Sequence, residues 1–123
     1  MRFSIYTEVQ SWPGKPYDRL YGEVLEQIEN ADRLGYDAYA VIEHLFFPKF
    51  SASANVFGLF GMAAARTRRI NFRTMLHILP YHNPLVLAAM IHEFSLLTGG
   101  RYEFGVGRGH GLIPLPAGMP LDE

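Results

Sequence analysis

The amino-acid sequence predicts an α/β protein built from parallel strands with helical connections. Short β-prone runs begin near residues 2, 37, 70 and 102, at intervals of roughly 33 residues. A stretch with helical spacing of apolar side chains separates each run from the next. Glycine or proline stands at the ends of most of these stretches. The strands should be parallel, because each intervening helix returns the chain to the same edge of the sheet.

The first half of the chain contains two predicted strands and two predicted helices. The first strand covers residues 2–7, before a loop that contains proline and glycine. A helix follows over residues 17–34. Its apolar side chains share one face: Leu20, Val24, Ile28, Ala31 and Leu34. Gly35 stands where a left-handed glycine commonly ends a helix. The second strand covers residues 37–42, and residues 54–65 form an apolar helix of the kind that lies buried.

The second half repeats this order. The third strand is predicted over residues 70–79. Asn83 and Pro84 then provide a capping side chain and a first-turn proline, so a helix should begin there and run to residue 97. Residues 102–106 form the fourth strand.

Two architectures share this alternation, an open doubly wound sheet and a (β/α)8 barrel. A complete barrel needs eight repeats, or roughly 260 residues, whereas this chain has 123. The last residues, PAGMPLDE, resemble the start of a fourth helix. We therefore expect the N-terminal half of a (β/α)8 TIM barrel, with about four parallel strands and three helices. Residues 1–123 would be the N-terminal segment of one domain, truncated before the fourth helix. Its uncovered strand edge should favour self-association.

Composition excludes several classes of partner. Eleven basic and twelve acidic residues give a net charge of −1, which provides no electrostatic basis for binding nucleic acid or an anionic membrane. The chain has no cysteine, so disulfides and thiolate metal sites are excluded. The N-terminus lacks the pattern of a signal peptide, and no apolar run is long enough to span a membrane. A cytoplasmic protein is the expectation.

Polar side chains follow each predicted strand at its carboxyl end, where parallel α/β folds place ligand sites. These side chains are Glu8, Glu43, His44, His82, Asn83, Arg108 and His110. His44 is the strongest candidate for catalysis, because imidazole donates or accepts a proton near neutral pH. A histidine that only braces its loop is the alternative. Glu43 either tunes His44 or makes a local cap or ion pair.

Glycines surround Arg108 in the stretch GGRYEFGVGRGHG, residues 99–111. The spacing is not that of the dinucleotide fingerprint, because His110 stands where its third glycine would be. The planar guanidinium of Arg108 nevertheless suits a phosphate group, and flanking glycines allow close approach. A solvated arginine or an internal ion pair is the alternative. His110 is more typical of loop structure than of catalysis.

His77 is predicted to be a core histidine with a satisfied hydrogen bond. Strict alternation along the third strand would place it on one face with Arg73 and Met75, and Leu76 on the opposite face with Ile78. No metal site is expected from the five histidines, because the sequence contains no H-E-x-x-H motif.

Three motifs together resemble the bacterial luciferase-like flavin-dependent monooxygenases: EHLF, LPYHNP and LLTGGRYEFGVGRGHG. The resemblance covers essentially the whole chain. It implies a (β/α)8 barrel that uses reduced FMN and dioxygen on a small organic substrate. It also implies a flavin reductase that supplies FMNH2, and a homodimer formed through helices of this half. An F420-dependent hydride-transfer enzyme of the same family and a non-catalytic half-barrel are the alternatives.

The resemblance also implies roles for individual residues. His44 would handle protons beside the flavin, with Glu43 next to it. Arg108, followed by Gly109 and His110, would contact the flavin phosphate. The segment Thr74, Met75 and Leu76 corresponds to the position of a non-prolyl cis peptide under the flavin ring. The chain departs from the usual family pattern at three positions: Leu45 replaces a histidine, Ser95 an aspartate and Arg73 a glycine.

Overall fold

The structure, a computed structural model, describes residues 1–109. Seven helices and strands alternate along this part of the chain. They are β1 (Ser4–Thr7), α1 (Tyr17–Leu34), β2 (Ala38–Val41), α2 (Val56–Ala64), β3 (Asn71–Ile78), α3 (Pro84–Leu97) and β4 (Tyr102–Gly107). A short 3-10 turn, Leu79–Tyr81, lies between β3 and α3.

The four strands form one parallel sheet in the order β1-β2-β3-β4. Thr7 pairs with Val41, and Val41 pairs with Thr74, so β1 and β2 end at the same level while β3 continues beyond them to Ile78. Each strand therefore lies beside the one that precedes it in sequence, with a helix connecting them. This order confirms the predicted alternation and brings the loops that follow the strands to one edge of the sheet.

Local signals in the sequence set the helix boundaries. Helix α1 ends at Gly35, which has φ 86°, and α3 begins after Asn83, whose side chain accepts hydrogen bonds from two backbone N–H groups. Helix α2 begins at Val56, two residues later than predicted, because the Asn55 side chain caps it by accepting from the Gly58 N–H. One expectation about α1 was wrong: Leu34 is 68% exposed. It lies in the last turn, beyond the part of α1 that packs on the sheet.

The core lies between the helices and one face of the sheet. Its largest buried side chains come from β2, α1, α2, β3, α3 and β4: Tyr39, Ile28, Phe60, Phe72, Phe94 and Tyr102. Burying aromatic area at about 25 cal/mol per Å² is the main favourable contribution to folding here.

The predicted alternation on β3 was wrong for two residues. Phe72 and Thr74 are buried against the helices. His77, which was predicted to share the face of Arg73, is buried on this side as well, and Leu76 turns toward β4 on the opposite face. The register between β3 and β4 shifts between Thr74 and His77, and the Met75–Leu76 peptide within this interval is cis. A local irregularity of this kind exchanges the faces of the side chains that follow it.

The alternating glycines of β4 let it approach β3 closely. A Cβ on Gly105 would lie 2.9 Å from the Thr74 carbonyl oxygen, and one on Gly107 would lie 2.7 Å from Leu76 Cδ2. A larger residue at either position would therefore collide with β3. This close packing explains the alternating glycines, whose spacing does not match the dinucleotide fingerprint.

Arg73, which replaces the family's usual glycine, has a partner on the sheet face away from the helices. Its Nε and Nη2 atoms lie 2.9 and 2.6 Å from Glu103 Oε2, and its Nη1 lies 3.3 Å from Ser4 Oγ. Arg2 also contacts Glu103, at 3.3 Å. The bulky side chain is accommodated because β4 offers a carboxylate directly beside it.

Candidate active site

The structure brings most of the predicted site residues to the carboxyl edge of the sheet. Glu43 and His44 follow β2, and Thr74–Leu76 lies within β3. Arg108 and Gly109 follow β4, and Arg108 is exposed there. His110 lies outside the described residues.

His44 is held in place by packing and by the backbone. His44 is only 5% exposed. Its ring packs edge-on against the ring of Phe50, with the centroids 4.8 Å apart. The His44 N–H donates to the Ser53 carbonyl oxygen at 3.2 Å. Ser53 in turn donates through its hydroxyl to the Ile42 carbonyl oxygen. The loop after β2 is therefore braced around His44, which fixes the imidazole at the strand end.

Glu43 is buried, at 4% exposure. Its carboxylate faces donor groups in β3 and in the segment that follows β3. The Ile78 N–H donates to Oε2 at 2.8 Å, and His82 Nε2 lies 2.9 Å from Oε1 and 2.8 Å from Oε2. His77 Nδ1 lies 3.5 Å from Oε1. The Glu43 N–H also donates to the Leu76 carbonyl oxygen at 3.2 Å. These contacts join Glu43 to residues far from it in the sequence, whereas a local cap or ion pair would involve its near neighbours.

Two opposing influences set the pKa of Glu43. Burial is the largest and would raise the pKa, because it penalises the charged carboxylate. Hydrogen bonds from His77, His82 and the Ile78 N–H favour the charged form and together outweigh burial, so the pKa lies below its ordinary value. Glu43 is therefore ionised at neutral pH and acts as a hydrogen-bond acceptor.

The hydrogen-bonded cluster continues into the core. His77 Nε2 lies 2.6 Å from the Tyr102 hydroxyl, which lies 2.5 Å from Thr74 Oγ1. The His77 ring stacks on Phe57 with centroids 5.2 Å apart. The prediction of a core histidine with a satisfied hydrogen bond is confirmed. Burial raises the pKa of Tyr102, so its hydroxyl stays protonated and can donate.

Sequence reasoning missed that Glu43, His77 and His82 form one cluster. Their potential metal-ligating atoms all lie within 4.8 Å of one another. Two imidazoles and a carboxylate can bind a divalent metal ion. In the arrangement described here, His82 Nε2 is hydrogen-bonded to the Glu43 carboxylate, and His77 Nδ1 faces the same carboxylate at 3.5 Å. No local motif indicates the cluster, because His77 comes 34 positions after Glu43 in the sequence.

The sheet face away from the helices carries exposed apolar side chains near this edge. Met75 is 48% exposed and Tyr6 is 47% exposed. Leu79, which follows β3, is exposed as well. Such a surface, flanked by polar groups at the strand ends, is typical of a site for a planar aromatic ligand. Within residues 1–109, no helix has the length and apolarity needed to cross a membrane.

Comparison with known proteins agrees with the fold. Residues 1–123 match the family described as luciferase-like monooxygenase. The 3,6-diketocamphane 1,6-monooxygenase of Pseudomonas putida is 32% identical over 97 residues, which cover 79% of this chain and 25% of that protein. The oxygenase component of the flavin-dependent trigonelline monooxygenase of Acinetobacter baylyi is 27% identical over 110 residues, which cover 89% of this chain and 30% of that protein.

A solved structure extends the comparison to the fold. It is the oxygenating constituent of 3,6-diketocamphane monooxygenase from Pseudomonas putida in complex with FMN. The two structures superpose with a TM-score of 0.88 at 28% identity, over 96% of this chain and 33% of that one. The matched part of the chain thus covers between 25% and 33% of the two relatives and of the solved structure. Its four parallel strands and three helices confirm the predicted barrel half. The chain belongs to the luciferase-like monooxygenase family.

Proposed function

We propose that this chain forms the flavin-binding half of a monooxygenase that uses reduced FMN and dioxygen to oxidise a small organic substrate. One observation carries the proposal. The exposed apolar surface at Met75 lies near the carboxyl edge of the sheet, where His44 follows β2 and Arg108 follows β4. This arrangement supplies a surface for the ring, a candidate proton-carrying group and a cation for the phosphate.

The residues present fit FMN. Met75 and Leu79 offer apolar contact to an aromatic ring, and exposed Arg108 is suited to bind the phosphate through its guanidinium. Gly109, with φ 82°, gives the backbone a turn that allows close approach. The proposal includes His110, which lies outside the described residues, as a further contact to FMN. The bound flavin supplies the redox chemistry with dioxygen, and the protein supplies binding and orientation.

The roles of the chain's own side chains follow from their surroundings. His44 holds or moves a proton at its imidazole, in a position fixed by Phe50 and the Ser53 carbonyl oxygen. Thr74, Met75 and Leu76 form the part of β3 that supports the ring. Glu43 is ionised and orients the groups that donate to it.

The proposal includes partners for the complete protein. The name of the Acinetobacter baylyi relative describes an oxygenase component, which supports a separate flavin reductase as the source of FMNH2. A homodimer is supported by the apolar side chains that α3 exposes, among them Leu85 and Leu97. A cytoplasmic location, where reduced flavin is available, belongs to the same proposal.

The experiment compares the binding of FMN and riboflavin, which lacks the phosphate, by quenching of flavin fluorescence. Arg108→Ala should weaken FMN binding by roughly 10- to 150-fold, the loss of one charge-assisted contact, and leave riboflavin binding nearly unchanged. Arg68→Ala is the matched control, because Arg68 is also exposed but precedes β3 at the opposite edge of the sheet.

Two outcomes would overturn the assignment. Equal losses for FMN and riboflavin would show that Arg108 does not contact the phosphate. Binding of F420 without binding of FMN would replace the monooxygenase by the hydride-transfer alternative.

A further inference from the structure

A chain of buried polar side chains runs from Glu43 into the core through His77 and Tyr102 to Thr74. The function proposed above gives no role to His77, Tyr102 or His82. We propose that His82 is a second acid–base residue of the flavin site, and that Glu43, His77 and Tyr102 position it. This inference rests on the proposed function.

The first step concerns the protons around Glu43. An ionised carboxylate only accepts hydrogen bonds, so each nitrogen that faces it must carry a hydrogen. The Ile78 N–H does so by its nature. His82, whose Nε2 lies 2.8 Å from Oε2, must therefore carry its proton on Nε2. The same negative charge favours a proton on Nδ1 of His77, which faces Oε1 from 3.5 Å. The carboxylate thus selects one tautomer at each of its two histidines.

The second step follows the chain inward from His77. With its proton on Nδ1, His77 presents a lone pair at Nε2, and the Tyr102 hydroxyl, 2.6 Å away, donates to it. The Tyr102 oxygen then accepts from Thr74 Oγ1 at 2.5 Å. All donors point in one direction, from Thr74 toward Glu43. The opposite tautomer of His77 would place a lone pair against the carboxylate, so Glu43 fixes the tautomer and the Tyr102 hydroxyl satisfies the lone pair at Nε2.

The third step concerns His82. Its side chain is 22% exposed, whereas those of Glu43 and His77 are 5% and 0% exposed, so His82 is the member of the cluster that solvent or a ligand can reach. With Nε2 donating to Glu43, the lone pair of His82 is on Nδ1, where it can take a proton. A histidine oriented by a buried carboxylate is the arrangement of an acid–base catalyst.

Stability alone gives no reason for this cluster. Tyr102 lies among the aromatic rings of Phe57, Phe60 and Phe94, where an apolar side chain would pack equally well. Burying an ionised carboxylate with hydrogen-bonded imidazoles gains little over apolar packing of the same volume. The polar chain also holds the exposed imidazole of His82 in place through Glu43.

The first measurement is ¹⁵N NMR of the full chain labelled at the histidine rings. We expect His77 to show a proton on Nδ1 and His82 to show a proton on Nε2. Tyr102→Phe removes only the hydroxyl and should change the His77 ring signals. Tyr39→Phe is the matched control, because Tyr39 is also buried but its hydroxyl donates to Gln27. This control should leave both histidines unchanged.

The second measurement is steady-state kinetics of the FMN-loaded protein. His82→Asn should lower kcat by about 10²-fold or more, with little change in FMN binding. Tyr102→Phe should lower kcat on the order of tenfold with KM nearly constant, because it acts through His82. Tyr39→Phe should keep kcat within about twofold of the parent. A purely structural role for Tyr102 would instead lower stability and leave kcat of the folded protein unchanged.

Three outcomes would overturn the inference. They are a kcat for His82→Asn within about threefold of the parent, a proton on Nε2 of His77, or a shift of both histidine signals on addition of ZnCl2 that shows metal ligation. A parent protein that binds no FMN would contradict the proposed function and with it the catalytic role of His82. The NMR result would then still decide the orientation of the cluster.

Discussion

Replacing Gly105 by alanine tests the close packing of β3 on β4. The added Cβ would lie 2.9 Å from the Thr74 carbonyl oxygen, a backbone atom that cannot rotate away. The two strands must therefore separate locally, at a cost of about 1–3 kcal/mol typical of overpacking. Gly22→Ala is the control: Gly22 lies in α1, and apart from its chain neighbours and the backbone of its own helix no atom lies within 4 Å of the added Cβ. Alanine should stabilise that helix by about 0.5–1 kcal/mol.

The free energy of unfolding, measured by urea titration with circular dichroism, should thus change with opposite sign in the two variants. A further variant separates the causes. The Cβ of Gly107→Ala would meet Leu76 Cδ2 at 2.7 Å, the end of a flexible side chain. Adding Leu76→Ala should relieve the clash at position 107 but not the clash at position 105. A Gly105→Ala protein as stable as the parent would refute the close approach.

Three further predictions concern single side chains. His44→Ala should lower the oxygenation rate by about 10²–10⁴-fold with FMN binding nearly unchanged; a rate within about threefold of the parent would reject its role. The lowered pKa of Glu43 means that its contribution to stability is present above its ordinary pKa of 4.5 and is lost as the pH falls below it. Glu43→Gln should therefore be about 1–3 kcal/mol less stable at pH 7, with a smaller difference near pH 3, as measured by urea unfolding at both pH values. Asp32 accepts from the N–H groups of Arg68, Arg69 and Ile70, at 3.2, 2.9 and 2.7 Å. Asp32→Ala should cost about 1–3 kcal/mol in the same assay, whereas Glu26→Ala, on an exposed part of α1, should change stability by no more than about 0.5 kcal/mol.

The boundaries of α1 and α3 could be predicted because their signals are local. Gly35 ends the first helix, and Asn83 with Pro84 begins the last one. Each signal acts through backbone groups within a few residues, so the sequence window that contains the helix also contains its ends.

The site could be predicted only in part. The positions of Glu43 and His44 at a strand end follow from the alternation of strands and helices, which the sequence shows directly. The partners of Glu43 do not, because His77 reaches it only after the irregularity in β3 exchanges the strand faces. Alternation assumes a regular strand, and no residue type in β3 marks the departure. The pairing of Arg73 with Glu103 similarly depends on the register of two strands.

The glycines of β4 affect how its register against β3 is specified. A slip by one residue is excluded, because it would turn Phe104 and Val106 toward Leu76. A slip by two would again present a glycine, since Gly105, Gly107 and Gly109 alternate. Strands rich in glycine specify their alignment weakly for this reason.

The polar residues at the start of β4 remove that ambiguity. In the observed alignment of β3 and β4, Tyr102 makes hydrogen bonds to Thr74 and His77, and Glu103 pairs with Arg73. A shifted alignment would break these contacts. A displacement of two residues would leave a buried hydroxyl and a buried imidazole unsatisfied, at about 1–3 kcal/mol each. The glycines thus allow β4 to pack closely on β3, while Tyr102 and Glu103 specify the register between the two strands.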